Sequence, residues 1–307
     1  MNRLSTARRT QVIAALVEGV SVNATSRMTG VAKHTILDLL EDLGCACAEY
    51  HNRTVRNLKA DRVEVDEIWQ FCYAKEKNVP ADKQGKFGYG DVWTTVGIDA
   101  ETKLIISYLI GRRDAKTAHE FMQDLKGRIS NRIQMTTDGH KVYFDAVEDA
   151  FGSEIDYAML IKIYGAPLQE DASTRYSPAT CIDCQTAVIS GDPDPEKICT
   201  SYIERQNLTM RMSMRRFTRL TNGFSKKVEN HGHAVALHFM HYNFCRVHKT
   251  LRVTPAMEAG LADHVWSLEE LCGLVKPKAV APVLRQEREM LIKALGRSKK
   301  TVALIPD

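Results

Sequence analysis

Residues 62–71, RVEVDEIWQF, alternate apolar and polar side chains, the period-two pattern of a half-buried strand with Val63 and Val65 inward. Asp66 stands at the end of that alternation with Glu67 beside it, and a slip of one residue in register would exchange the two carboxylates between faces. Further strands are predicted over residues 92–98, 104–110, 133–137 and 157–163, with the turn-like Asp99-Ala100-Glu101-Thr102 making a hairpin of the first two. Helices are predicted over residues 115–129 and 142–151. The order β-β-β-α-β-α-β, then a loop and a helix, reads as an α/β domain with a mixed five-stranded sheet flanked by helices. The fourth strand delivers Asp138-Gly139-His140, so Asp66 and Asp138 are both expected at strand ends, where such sheets bind ligands.

A third acid comes from residues 200–220, TSYIERQNLTMRMSMRRFTRL. Wound as one helix, Ile203, Met210, Met214 and Phe217 form an apolar stripe, while Glu204, Leu208, Arg211 and Arg215 share the neighbouring face. A carboxylate among arginines is either an ordinary surface charge network or a ligand-binding group. Ten Lys or Arg lie between Arg205 and Arg252 against the single acid Glu229, a local charge of +9; with a formal net charge of +4, the rest of the chain carries −5. Five histidines, at positions 231, 233, 238, 241 and 248, add to the stretch. So concentrated a basic block is the electrostatic footprint of a polyphosphate partner.

The 307 residues, 44% apolar and 26% charged, have a soluble globular composition with room for two or three domains. No apolar run is long enough for a membrane span, and the opening MNRLSTARRT lacks a signal-peptide core, so a cytoplasmic protein, nucleoid-associated when on DNA, is expected. Eight cysteines in such a chain read as reduced thiols. Cys45-x-Cys47 with His51, and Cys181-x2-Cys184 with Cys199, each offer three ligands without the paired spacing of a zinc site, so zinc is not expected.

Residues 5–44 read as three short helices, the second starting after Ser21 and breaking at Gly30. The third, predicted over residues 33–43, turns Ile36, Leu39, Leu40 and Leu43 inward and leaves Lys33, His34 and Thr35 at its start. This is the pattern of a helix-turn-helix, in which those three residues would meet DNA, although small helical trios also serve as dimerisation units. Residues 45–60 lose periodicity and read as a linker, and residues 165–199, with Pro167, Pro178, Pro193 and Pro195, as a long loop. A second long helix is predicted over residues 225–247, and the tail carries an amphipathic segment from Val283 to Leu295 with basic residues Arg297, Lys299 and Lys300 beyond it.

Three converging carboxylates would repel one another unless a cation sits between them. Oxygen-only, anionic ligands suit Mg²⁺ or Mn²⁺, and a pair of such ions serves phosphodiester chemistry. The motifs VDEIW, TTDGH and SYIERQN with Arg211 following resemble the acid triad of bacterial insertion-sequence transposases of the DDE superfamily, which share the RNase H-like fold with retroviral integrases. HYNFCRVHKTLRVTPAMEAG, residues 241–260, is similar to the segment closing many of those catalytic domains. The likeness is greatest to the family named after the first numbered insertion sequence.

The resemblance implies a helix-turn-helix domain over residues 1–44, a linker over 45–60, an RNase H-like catalytic domain over 61–262 and a helical tail over 263–307. It implies metal-dependent strand cleavage at element ends and transfer of the 3′-hydroxyl into target DNA. Asp66, Asp138 and Glu204 would hold two Mg²⁺ or Mn²⁺ ions, while Arg211, Arg215, Arg216, Lys226 and Lys227 would hold DNA. The partners would be terminal inverted repeats, target duplex and at least one further copy of the chain. The 66 residues from Asp138 to Glu204 exceed the commonest spacing, with the long loop supplying the excess; Glu170 and Glu196 lie in that interval but in no basic helix. Two alternatives share these features: a DNA-binding regulator or decayed transposase without the chemistry, and an RNase H-like nuclease that cuts without joining.

Overall fold

A computed structural model describes residues 4–165, 181–218 and 221–275. Six strands form one mixed sheet: β1 Arg62–Cys72, β2 Gly90–Asp99, β3 Ile105–Gly111, β4 Ile133–Asp138, β5 Ile155–Tyr164 and β6 Cys181–Ser190, in the order β3-β2-β1-β4-β5-β6. The first three are mutually antiparallel, β1, β4 and β5 run parallel, and β6 returns antiparallel along β5. Helices α1 Thr6–Val17, α2 Val22–Thr29 and α3 Lys33–Thr54 precede the sheet; α4 Ala115–Lys126 and α5 Val142–Phe151 lie between its strands. After it come α6 Ser201–Ser213, α7 Val228–Met240, α8 Pro255–Glu258 and α9 Leu268–Gly273. A six-stranded mixed sheet flanked by helices is consistent with the RNase H-like fold that the resemblance implies.

The sheet buries both faces, and strand parity decides which residue goes where. Val63 and Val65 of β1 share a core with Met135 of β4, Tyr157 of β5, Phe121 and Leu125 of α4, and Tyr143 and Val147 of α5. Ile68 and Cys72 of β1 join Val92, Val96 and Ile98 of β2, and meet Ile203 and Met210 of α6 and Val235 and Phe239 of α7 on the opposite face. Even-numbered positions of β1 therefore look toward α6. The stripe read from residues 200–220 is what anchors that helix, since Ile203, Met210, Met214 and Phe217 are all buried in this second core.

Four sequence expectations are corrected. The sheet has six strands rather than five, because residues 181–190 of the expected loop form β6. Most of β6 is exposed, so no buried face imposes the alternation that would reveal it. The expected linker is helical as far as Thr54: α3 continues through residues 45–54 because Cys47 and His51 are buried along it and Gly44 lets α7 approach. A Cβ at Gly44 would lie 2.5 Å from the Cβ of His233. The helix expected over 200–220 ends at Ser213: Met214 takes an extended backbone (φ −125°, ψ 107°), and Arg215–Phe217 make a separate 3-10 turn. The helix expected over 225–247 starts at Val228 and gives way to a π-helical turn at His241–Cys245.

That π-helical turn docks the segment onto β3. Asn243 accepts from the Ile105 amide and donates to the Ile105 carbonyl, both at 3.0 Å, and His51 of α3 donates to the same carbonyl at 3.1 Å. Side-chain caps begin the first two helices, from Ser5 to the Arg8 amide and from Ser21 to the Ala24 amide. Val12 and Ile13 of α1 and Leu39, Leu40 and Leu43 of α3 are continuous with the core under the sheet. The tail segment from Val283 to Leu295, the basic residues after it, Arg219 and Glu170 lie outside the described residues. Among the described residues no helix is long and apolar enough to cross a membrane.

Candidate active site

The parallel ladder between β1 and β4 ends with the pair Val65 and Thr137. One residue further along each strand stand Asp66 and Asp138, where β1 leaves β4 and the sheet opens a crevice. Both aspartates occupy even positions, on the face covered by α6. Lys162 of β5 has the same parity, and Glu204 sits in the first turn of α6 opposite. Asp66, Asp138, Lys162, Thr200 and Glu204, with Gly139, Leu160, Ile161 and Tyr164, line one cleft of about 370 Å³. The sequence ambiguity between Asp66 and Glu67 thereby resolves: Asp66 faces α6, whereas Glu67 turns toward the Tyr143 hydroxyl on the other side. Carboxylate oxygens of Asp66, Glu67 and Asp138 nevertheless lie within 4.8 Å of one another.

An acid two residues before Asp66 fixes α6 over the cleft. Glu64 is fully buried, and one of its oxygens accepts from the backbone amides of Tyr202 and Ile203 at 2.8 and 3.0 Å. Thr200, the N-cap of α6, makes no capping hydrogen bond to the backbone, so a strand carboxylate does the work of a cap. Burial pushes the Glu64 carboxyl up to about 7 despite those two amides. One turn further along α6, Asn207 donates to Asp66 at 2.8 Å, a second tie between helix and strand.

The cleft is crowded with like charge. Burial first, and then the neighbouring Asp138, push the Asp66 carboxyl up to about 7. Two basic side chains answer that charge. Arg113 reaches Glu67 at 3.5 Å and Asp138 at 3.4 Å while its guanidinium sits 4.7 Å from the Trp93 ring centroid. Lys162 pairs with Glu204, whose carboxylate also accepts from the Thr200 hydroxyl at 2.5 Å. Arg113 and Lys162 thus offset part of the negative charge of the cleft.

No protein-family model matches the chain, and no curated protein sequence matches it. Among solved structures it is similar to a piggyBac transposase in a synaptic complex with hairpin DNA, at 10% identity and a TM-score of 0.38, over 97% of this chain and 77% of that one. It is also similar to the Mos1 transposase in a paired-end complex with the left transposon end, at 13% identity and 0.24, over 51% and 59% of the two chains. The Mos1 strand transfer complex gives 12% identity and 0.23, over 77% of each chain. Superposition at this level leaves the reading of the site to its own residues.

The remaining residues singled out from sequence separate into four groups. Lys33, His34 and Thr35 are exposed at the start of α3, and Lys226 and Lys227 are exposed ahead of α7, with the Lys226 ammonium 3.4 Å from the Phe224 ring centroid. Arg211 lies in the last turn of α6, and Arg215 is exposed on the following 3-10 turn, so the two do not continue a single helix face. Arg216 turns inward and donates to Ser225 at 3.0 Å. Glu196 sits on a separate turn before α6 and does not line the cleft.

Four site residues were not singled out from sequence: Glu64, Arg113, Lys162 and Asn207. Parity could have found Glu64 and Lys162, since each falls on the face of its strand that carries an aspartate. Asn207 follows Glu204 by three residues, one helical turn. Nothing in the local sequence marks Arg113. The Cys181 and Cys184 sulfurs lie 3.7 Å apart on exposed β6, where a register shift at Tyr164 brings both onto one side, and all eight cysteines are free thiols.

Proposed function

We propose that this chain is a polynucleotidyl transferase of the DDE transposase type, an RNase H-like enzyme that cuts DNA strands and joins the 3′-hydroxyl to target DNA. The observation that carries the reading is the convergence of Asp66, Asp138 and Glu204, from two strands and a helix, on one cleft. The donor set fits a hard divalent cation: it is all oxygen and anionic, and carboxylate oxygens of Asp66 and Asp138 lie within 4.8 Å of one another, with Glu204 lining the same cleft outside that close group. Burial, and then the charge of Asp138, raise the Asp66 carboxyl, and a cation would relieve the second of these.

Asp66, Asp138 and Glu204 would hold Mg²⁺ or Mn²⁺, which would supply Lewis acidity for phosphodiester chemistry. The protein's own part is positioning. Glu64 fixes the first turn of α6, Asn207 orients Asp66, and the Thr200 hydroxyl keeps Glu204 facing the cleft. Lys162 and Arg113, once released from their acids, would stand as phosphate-binding cations at the cleft edge. Arg211, Arg215, Lys226 and Lys227 would extend that electropositive path, and Lys33, His34 and Thr35 would contact the element end. Joining two ends requires two such sites, so the working form would be at least a dimer on DNA.

The test is a set of substitutions, Asp66→Asn, Asp138→Asn and Glu204→Gln, assayed for Mn²⁺-dependent strand cleavage and for joining of a pre-cut 3′ end. Each is expected to abolish both reactions while leaving duplex binding intact. Cleavage that survives all three substitutions would refute the assignment. Cutting by the native protein without any joining would instead identify a nuclease, and binding without either reaction a regulator.

A further inference from the structure

The rim of the carboxylate cleft carries a pair of thiols. Cys184 stands directly across the β5–β6 ladder from Lys162, and Cys181 across from Tyr164, both of which line the cleft. Residues directly opposite on paired strands share a face, so both cysteines stand on the cleft side of β6. Both are exposed, and their sulfurs lie 3.7 Å apart.

Cysteines three positions apart on a regular strand would point to opposite faces. The register shift removes that separation: Ile163 pairs with Asp183 but Tyr164 with Cys181, so Ile182 is passed over in the pairing. The two cysteines therefore oppose residues only two apart on β5, a distance of about 6.8 Å at about 3.4 Å per residue. Asp183, between them, steadies both. The Cys181 thiol donates to the Asp183 carbonyl at 3.3 Å, and the Asp183 carboxylate accepts from the Cys184 amide at 2.8 Å.

Distances decide what the pair can do. A disulfide needs its Cα atoms about 4.4–6.8 Å apart and its sulfurs at about 2.05 Å, so this strand spacing sits at the outer limit and the sulfurs would still have to close. A metal ion needs no such movement: two thiolates each about 2.3 Å from a tetrahedral ion stand about 3.8 Å from one another. The sulfurs are already at 3.7 Å. Donor type separates this pair from the neighbouring carboxylates, since Mg²⁺ takes oxygen ligands and thiolates select softer metals. We infer that Cys181 and Cys184 form a chelating site for a thiophilic divalent ion such as Zn²⁺ at the rim of the carboxylate cleft. Binding converts two thiols and the ion into a dithiolate complex and two released protons, with no change of oxidation state. Among the described residues no third His, Cys, Asp or Glu offers a ligand atom within 4.8 Å of both sulfurs, so two of four positions stay open to water or an incoming ligand. The lack of a second Cys-x2-Cys pair thus argues against a closed structural zinc site but not against an exchangeable one. Nothing in this chelate depends on the proposed DNA chemistry.

The experiment uses the full chain, reduced with a phosphine and held in excess Mg²⁺ to occupy the carboxylates. Cd²⁺ is the probe, read by the ultraviolet charge-transfer absorption of cadmium thiolate. A saturable band at one ion per chain is expected, displaced by Zn²⁺ and unchanged by further Mg²⁺. Cys181→Ser and Cys184→Ser, at exposed positions that tolerate a hydroxyl, should each weaken Cd²⁺ binding tenfold or more, whereas Cys199→Ser should bind as the native chain does. Because two protons leave per ion, the affinity should change by up to about a hundredfold per pH unit while both thiols are protonated. Absence of a saturable band overturns the inference, and a Cys181–Cys184 disulfide formed by the same protein in air would then identify a redox couple instead. Native-like binding in Cys181→Ser or Cys184→Ser, or an equal loss in Cys199→Ser, overturns it as well. Mn²⁺ affinity measured in Cys184→Ser reports on the carboxylates separately, so failure of the dithiol site and failure of the proposed active site are distinguishable.

Discussion

Replacing Glu64 by Ala tests how α6 is held over the cleft. The side chain is fully buried, and one oxygen accepts both the Tyr202 amide at 2.8 Å and the Ile203 amide at 3.0 Å. Removing it leaves two backbone donors in the first turn of α6 without a partner, each costing about 1–3 kcal/mol when buried. Some water reaches the new cavity, so a total of about 2–4 kcal/mol is expected, concentrated at the helix start. A tenfold change corresponds to about 1.4 kcal/mol, so the Tyr202 and Ile203 amides should exchange roughly 30- to 700-fold faster with deuterium. Peptides from α4 or α5 should be unaffected. Glu64→Gln retains a carbonyl acceptor for both amides and should give a smaller increase. Because Glu204 follows Ile203 directly, Mn²⁺ affinity should fall with the helix start. Exchange in Glu64→Ala within threefold of the native protein would refute the idea that this carboxylate caps α6.

Three further outcomes are expected. Lys162→Met frees Glu204 from its ion pair and should tighten Mn²⁺ binding about two- to fivefold by isothermal titration; the gain is at most about 1 kcal/mol because the pair is partly exposed, and weaker binding would contradict it. Gly44→Ala drives a Cβ to 2.5 Å from the Cβ of His233 and should cost about 1–3 kcal/mol in urea unfolding, whereas Gly273→Ala, whose added Cβ meets nothing within 4 Å, should be neutral; equal stabilities would refute the tight α3–α7 crossing. His231 is buried and held down to about 3 by desolvation, so the native state keeps it neutral while the unfolded chain protonates near its ordinary value of 6.5. Between those values the unfolded state binds the extra proton and stability falls as pH falls. Below about pH 6 the native protein should therefore lose about 1.4 kcal/mol per pH unit relative to His231→Gln, and parallel pH profiles would show the residue to be accessible.

The parts of this fold that were legible in sequence are those where burial imposes a period. Val63 and Val65 marked β1, the stripe from Ile203 to Phe217 marked the buried side of α6, and strand order then set Asp66 and Asp138 side by side. What escaped has a different physical cause in each case. β6 is largely exposed and carries no pattern; Met214 ends α6 without a glycine or proline to announce it. The continuation of α3 past Gly44 depends on partners distant in sequence, α7 crossing at Gly44 nearly 200 residues away and β3 meeting His51 at Ile105 and Tyr108. Charge counting also overstates exposure, since Arg216 contributes to the basic block but turns its guanidinium inward to Ser225. Glu64 is the sharpest case: an acid in an alternating strand reads as a solvent-facing residue, and only the arrival of the α6 amides makes it a buried one.

Asp66, Asp138 and Glu204 are proposed to form a divalent-cation site. Crystals of the chain soaked in Mn²⁺ and measured for anomalous scattering test it most directly. A peak is expected between the Asp66 and Asp138 carboxylates, about 2.1 Å from their oxygens, with Glu204 moved off Lys162 toward it and the peak lost in Asp66→Asn. A peak elsewhere with this cleft empty, or one unchanged in Asp66→Asn, would contradict it.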